Sequence, residues 1–175
     1  QEWYKTFEEK RKERPFIVNL KQGWSWLRGM PPVKEVGGRK CDTTYPQALE
    51  CMSEFRKRIG IDPLFWYTGW YGPFDSRYPQ FFPVAEEMGG DFRDFARKVR
   101  QRNHFVSLHT NSAEWNSAAS CFDKKLMAVW RGKYYEFKYG DSHSNFVASL
   151  PLAADKWLDE YGKIVQAGIP GIYYD

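Results

Sequence analysis

The chain is poor in the groups that metal, redox and nucleotide sites need. It has three Cys and three His among 175 residues. Cys41, Cys51 and Cys121 are an odd set with no metal-ligand spacing. Cys51 falls within a helical pattern as a core residue, while Cys41 and Cys121 lie in long connections and could pair. No strand candidate is followed by a glycine-rich phosphate loop. No cofactor and no metal are therefore expected. No apolar run approaches the roughly 20 residues of a helical membrane span, so no membrane partner is expected. Charge of one sign is also scarce. The net charge is +4, and the basic residues are mixed with acids, as in Glu8-Glu9-Lys10-Arg11-Lys12-Glu13-Arg14. That is a solvated helix face, not a nucleic-acid footprint. There is no initiator Met and no signal peptide, and the chain runs from Gln1 to Asp175. The expectation is a mature or excised piece, with an extracellular or periplasmic location preferred.

Aromatic residues are abundant instead. They make up 18% of the chain, with 8 Trp, 11 Tyr and 13 Phe. Two uses compete: an aromatic-rich core, and flat amphipathic platforms of the kind that suit sugar faces and apolar ligands. With 42% hydrophobic and 27% charged residues the chain is globular, and long enough for one domain spanning 1–175.

Hydrophobic periodicity orders the elements. Residues 2–14 read as a helix stopped by Pro15, and Phe16–Leu20 as the first strand. Trp24 and Trp26 fall in the long connection that follows. Thr43 or Thr44 can cap the next helix, with Pro46 in its first turn and Gly60 at its end. Ala48, Met52, Phe55 and Ile59 form its buried stripe. The continuous apolar run Leu64–Trp70 reads as a parallel strand covered on both faces. After a turn-rich stretch, a helix over 91–102 buries Phe92, Phe95, Ala96 and Val99. The third strand spans 104–110. A β-hairpin insertion around Arg131-Gly132-Lys133 comes next. The last helix, 153–167, buries Trp157, Tyr161, Ile164 and Val165 and stops at Gly168. The final strand runs into Asp175.

This alternation predicts an α/β fold with a parallel sheet. Helix-to-strand links are short, and strand-to-helix links are long and hold most of the Trp, Pro, Gly and Asp. Parallel sheets gather the long links at the carboxyl ends of their strands, which is the catalytic end of a TIM (β/α)8 barrel. Four strands would leave two open edges. The expectation is a partial (β/α)8 barrel that the remainder of the barrel completes; a doubly wound sheet is the alternative.

Three strand ends then supply polar and aromatic groups: Trp70 with Asp75, His109 with Asn111, and Asp175. A carboxylate beside aromatic platforms at a barrel mouth points to glycoside chemistry. Such a carboxylate attacks the anomeric carbon or stabilises an oxocarbenium-like transition state, while a second carboxyl protonates the leaving oxygen. Each residue also has a structural role open to it. Asp175 is a nucleophile or a terminal turn residue. Trp70 faces sugar or packs the core. Asp75 bonds substrate or caps the turn before Tyr78-Pro79. His109 belongs to the site or is a core histidine. Asn111 belongs to the site or bonds the backbone. Trp24 and Trp26 line a subsite or anchor their loop.

The stretch Gly69-Trp70-Tyr71…Asp75…Tyr78-Pro79…Phe82-Pro83…Gly89-Gly90, a helix, and then Val106-Ser107-Leu108-His109-Thr110-Asn111 resembles the early strands of a glycoside hydrolase barrel of the α-galactosidase clan. With the closing segment Trp157…Gly168-Ile169-Pro170-Gly171-Ile172-Tyr173-Tyr174-Asp175, it is more similar to a bacterial family of glycoside-hydrolase-like barrels related to endo-α-N-acetylgalactosaminidases. The resemblance covers about residues 60–175. It implies activity on α-linked sugars of oligosaccharides, polysaccharides or glycans, with Asp175 as the nucleophile at the end of strand 4 and the acid/base later in the barrel. Non-catalytic carbohydrate binding and a purely structural α/β domain remain the alternatives.

Overall fold

The computed structural model describes residues 24–26, 35–36, 39–40, 43–60, 64–72, 76–139, 142–147, 150–169 and 171–174. The helix expected at 2–14, the strand at Phe16–Leu20, and Cys41, Asp75 and Asp175 lie outside them.

Strands β1 (Trp24–Trp26), β4 (Leu64–Tyr67), β5 (Phe105–Thr110) and β11 (Gly171–Tyr174) form one parallel sheet in the order β1-β4-β5-β11. Its first strand thus lies inside what the sequence presents as a connection. The apolar run Phe16–Leu20 is the stronger strand signal, whereas Trp24–Trp26 is only three residues long. Between β1 and β4 come the short antiparallel pair β2 (Glu35–Val36) and β3 (Arg39–Lys40), and α1 (Tyr45–Ile59). Helix α2 (Phe92–Gln101) joins β4 to β5, and α3 (Leu150–Ala167) leads into β11.

Local chemistry explains these boundaries. Thr44 precedes α1 in an extended conformation, and its N–H donates to Gln47 Oε1 at 3.1 Å, closing part of a capping box. Asp91 Oδ1 accepts from Asp94 N at 3.0 Å and caps α2. Helix α3 ends at Gly168, whose φ of +86° disfavours any side chain. A Cβ there would also lie 1.4 Å from Arg100 Nη1, which donates to Ala167 O at 2.6 Å.

The sheet has two distinct faces. Phe65, Tyr67, Val106 and Leu108 point to the helices and join Ala48, Met52, Phe95, Val99 and Ile164 in the main core. Two expected core positions are solvent-exposed: Ile59 at the last turn of α1 (58%) and Val165 on α3 (62%). On α3 the buried face runs through Ala153, Trp157, Ile164 and Ala167, and Val165 falls with Leu158 on a second side.

The hairpin insertion is larger than expected. Strands β7 (Val129–Trp130) and β8 (Lys133–Tyr134) form the hairpin. Beside it β6 (Glu114–Asn116), β9 (Glu136–Tyr139) and β10 (Ser142–Phe146) make an antiparallel sheet in the order β6-β10-β9. Trp115, Ala119 and Met127 of this insertion pack with Ala153 and Trp157 of α3 in a second core.

Candidate active site at the strand ends

The face of the sheet turned away from the helices carries the candidate site. In parallel register Trp66 lies beside Ser107 and Ser107 beside Gly171, and one layer further His109 lies beside Tyr173. Gly171 is needed for this approach. A Cβ on it would sit 2.7 Å from Val106 O and 3.0 Å from Ser107 Cα. Over that gap three rings meet. Trp66 and Tyr173 have centroids 4.6 Å apart, Trp66 and His109 5.4 Å, and His109 stacks on Tyr173 at 5.4 Å with 20° between planes. His109 is buried, Trp66 half-buried and Tyr173 41% exposed. The cluster is an aromatic floor whose Tyr173 side is open among the described residues, a surface on which the apolar face of a small polar ligand can rest.

The sequence-derived candidates are distributed unevenly around this floor. His109 is part of it. Asn111, just beyond β5, is buried and turned to the backbone: its Oδ1 accepts from Ala113 N at 3.0 Å and Glu114 N at 3.1 Å, and its carbonyl accepts from Trp157 Nε1 at 3.1 Å. Trp70 is fully buried among Tyr71, Phe81, Phe82 and Phe92, and its Nε1–H donates to His109 O at 2.9 Å. In this arrangement it presents no ring face to solvent. It ties the connection after β4 to the β5 strand that carries His109. Trp24 and Trp26 stand in β1 at the register positions of Leu64 and Trp66. They are strand residues of the sheet, not residues of a loop. Asp175 is the residue after β11 in the sequence.

Trp66 and Tyr173 escaped the sequence reading. The available signal was period-two alternation: Leu64 and Trp66 share a parity, as do Gly171 and Tyr173. The continuous apolar run hid it in β4.

The rim is held by polar contacts. Arg77 Nη2 donates to the carbonyls of Tyr71 at 2.9 Å and Pro83 at 2.6 Å. Burial lowers its pKa, and the nearby Tyr71 and Glu160 act against that shift. Glu160 Oε2 on α3 accepts from Phe81 N and Phe82 N. Ser120 N donates to Gln80 Oε1 at 2.8 Å and Asn116 N to Tyr78 O at 2.8 Å, which joins the insertion to the β4 connection. Among the described residues no group of three or more His, Cys, Asp or Glu is arranged to hold a metal ion. A separate groove of about 390 Å³ lies between α1 and α2, lined by Leu49, Glu50, Asp91 and Lys98, and none of the candidate residues lines it.

Among the described residues the parallel sheet follows the chain order, with a long insertion after β5. The chain belongs to the family described as "Domain of unknown function (DUF6259)", whose profile matches residues 1–175. It is 24% identical over 128 residues to a Bacteroides thetaiotaomicron protein named "Putative glycoside hydrolase", covering 69% of this chain and 17% of that protein. Its fold is similar to that of the ligand-free α-N-acetylgalactosaminidase NagBb from Bifidobacterium bifidum, with a TM-score of 0.76, 18% identity, and coverage of 97% of this chain and 31% of that one. It is also similar to the GH36 α-galactosidase AgaB from Geobacillus stearothermophilus, with a TM-score of 0.56, 16% identity, and coverage of 77% and 19%. The chain thus spans less than a third of each of these relatives, and its fold is similar to part of the NagBb and AgaB folds.

Proposed function

We propose that this chain is the first half of a glycoside hydrolase (β/α)8 barrel acting on α-linked sugars, with Asp175 as its catalytic nucleophile. The observation that carries the reading is the register of β11. Tyr173 pairs with His109 and Tyr174 with Thr110. In the sequence Asp175 follows Tyr173 by two positions and so has its parity, which supports a carboxylate on the side of the floor. The barrel reading is supported by a strand order that follows the chain without reversal, whereas a doubly wound sheet has a switch point. It is supported also by Leu158 and Val165, which expose an apolar strip on α3 (65% and 62%) where a following helix would pack. The α-linked specificity rests on the folds of NagBb and AgaB.

In this mechanism Trp66, His109 and Tyr173 support a sugar ring and Trp24, Trp26 and Asp75 extend the subsite. The Asp175 carboxylate attacks the anomeric carbon, and the bond to the leaving oxygen breaks as a carboxylic acid from the second half of the barrel protonates it. Water then releases the sugar. Trp70 and Asn111 act by holding the rim. The test uses the full-length protein on a panel of aryl α-glycosides. Cleavage of an α-galactoside or α-N-acetylgalactosaminide, with turnover in Asp175→Asn reduced by several orders of magnitude, supports the reading. Unchanged turnover in Asp175→Asn overturns it.

A further inference from the structure

The tip of the insertion between β5 and α3 exposes more apolar surface than a hairpin needs. Trp130 is 66% exposed, Val129 58%, Tyr135 52% and Tyr134 42%. The turn between β7 and β8 is tight: Arg131 (φ 50°) and Gly132 (φ 75°) are both left-handed, so the rings project from a short rigid ribbon. Cations accompany the rings. Lys124 Nζ lies 4.4 Å over the Tyr134 ring and the Arg131 guanidinium 5.8 Å from the Trp130 ring. Residues 123–138 hold five cations, Lys124, Lys125, Arg131, Lys133 and Lys138, against two carboxylates, Glu136 and Asp123, the latter capping the turn before Lys125. The segment thus carries three excess positive charges in a chain of net charge +4. Trp130 and Lys133 pair across the hairpin and share one face of the ribbon, with Val129 and Tyr134 on the other. A large exposed ring beside a cation on one face marks an interaction site, and the charge selects the sign of its ligand.

We propose that this hairpin is an accessory binding site for an anionic saccharide, one bearing sulfate or carboxylate groups. The ring of Trp130 meets the C–H face of a sugar, and Lys133, its cross-strand partner on the same face of the ribbon, meets the acidic substituents together with Arg131 beside the Trp130 ring. A saccharide is preferred over other polyanions because the hairpin belongs to a connection at the carboxyl ends of the strands; that choice rests on the glycosidase reading above.

The test measures binding to the full chain by tryptophan fluorescence and calorimetry, with a sulfated galactan hexasaccharide, its chemically desulfated form, and a single-stranded oligonucleotide of matched charge. The proposal expects the sulfated sugar to bind about tenfold or more tighter than the desulfated one, and the difference to shrink in high salt. Trp130→Ala and Lys133→Gln should each weaken binding of the sulfated sugar about fivefold or more. Equal binding of the two sugars, tighter binding of the oligonucleotide, or insensitivity to Trp130→Ala and Lys133→Gln overturns it. The two readings fail separately. A sulfate preference in a protein that cleaves no glycoside leaves the hairpin site standing without the glycosidase. Cleavage without that preference does the reverse.

Discussion

Glu160, near the middle of α3, accepts the backbone N–H of Phe81 at 2.7 Å across a sequence separation of 79 residues. The same oxygen accepts from Phe82 N at 2.8 Å, and the other carboxylate oxygen takes a bond from Lys163. One buried carboxylate thus fixes the connection after β4 against the last helix. Glu160→Ala leaves two N–H groups without their acceptor and should cost about 1–3 kcal/mol, with a smaller loss for Glu160→Gln, whose amide oxygen still accepts. Urea unfolding of the two variants measures it.

The Lys163 ammonium gives that anchor a pH dependence. Hydrogen bonds to Asp159 and Glu160 raise its pKa above the ordinary lysine value. A group whose pKa is raised by folding contributes fully below its unfolded pKa, about 10.4, and loses the contribution as pH climbs through the higher folded value. Stability should therefore fall more steeply above about pH 10.4 in the parent than in Lys163→Met. Lys163 is partly exposed, so the difference is small. Melting temperatures between pH 7 and 11.5 test it.

Trp70 is predicted to act as a structural tie. Trp70→Phe removes the bond to His109 O and should cost about 1 kcal/mol, whereas Trp70→Ala empties the space among Phe81, Phe82 and Phe92 and should cost about 3–5 kcal/mol. Denaturant midpoints with unchanged slope report both. A Trp70→Phe variant with parent stability would contradict this role.

Gly171 tests the geometry of the aromatic floor. Gly171→Val drives a branched side chain into Val106 O and Ser107, and should cost at least about 1–3 kcal/mol by overpacking. It should also speed amide exchange in β5 and β11 while α1 stays protected. Uniform exchange across the chain would contradict a local effect.

How much of this the sequence discloses varies by element. Helices α1 and α2 are largely legible: Thr44 and Gly60 frame α1, and Phe92, Phe95, Ala96 and Val99 form the buried stripe of α2, whereas Ile59 at the end of the α1 stripe turns to solvent. On α3 the apolar residues occupy two sides, and Ile164 and Val165 are adjacent; which of them turns inward depends on neighbours that periodicity does not name. β1 is three residues long and is overshadowed by a stronger apolar run before it. The antiparallel sheet is hidden because β10, Ser142–Phe146, is mostly polar and lacks alternation. At the site, His109 was legible as a strand-end residue of defined parity. Trp70 was not, because its position after Gly69 says that the strand has ended but not which way the indole folds back.

The cysteines make a chemical prediction. Cys51 and Cys121 are free thiols, both half-buried, and Cys41 lies outside the described residues. Burial raises the pKa of both. In a Cys41→Ser background both should react with a disulfide reagent at pH 7.5 more slowly than glutathione does, and reach its rate in urea. Rapid reaction in the native state would contradict it.

The most direct measurement for the central claim is covalent trapping. The full-length protein is incubated with an activated fluorinated α-galactoside or its N-acetylamino counterpart, digested, and the labelled peptide sequenced by mass spectrometry. The account predicts one glycosyl group per protein, carried by Asp175 and absent from Asp175→Asn. A label on a different carboxylate, or glycoside turnover that persists in Asp175→Asn, would contradict it.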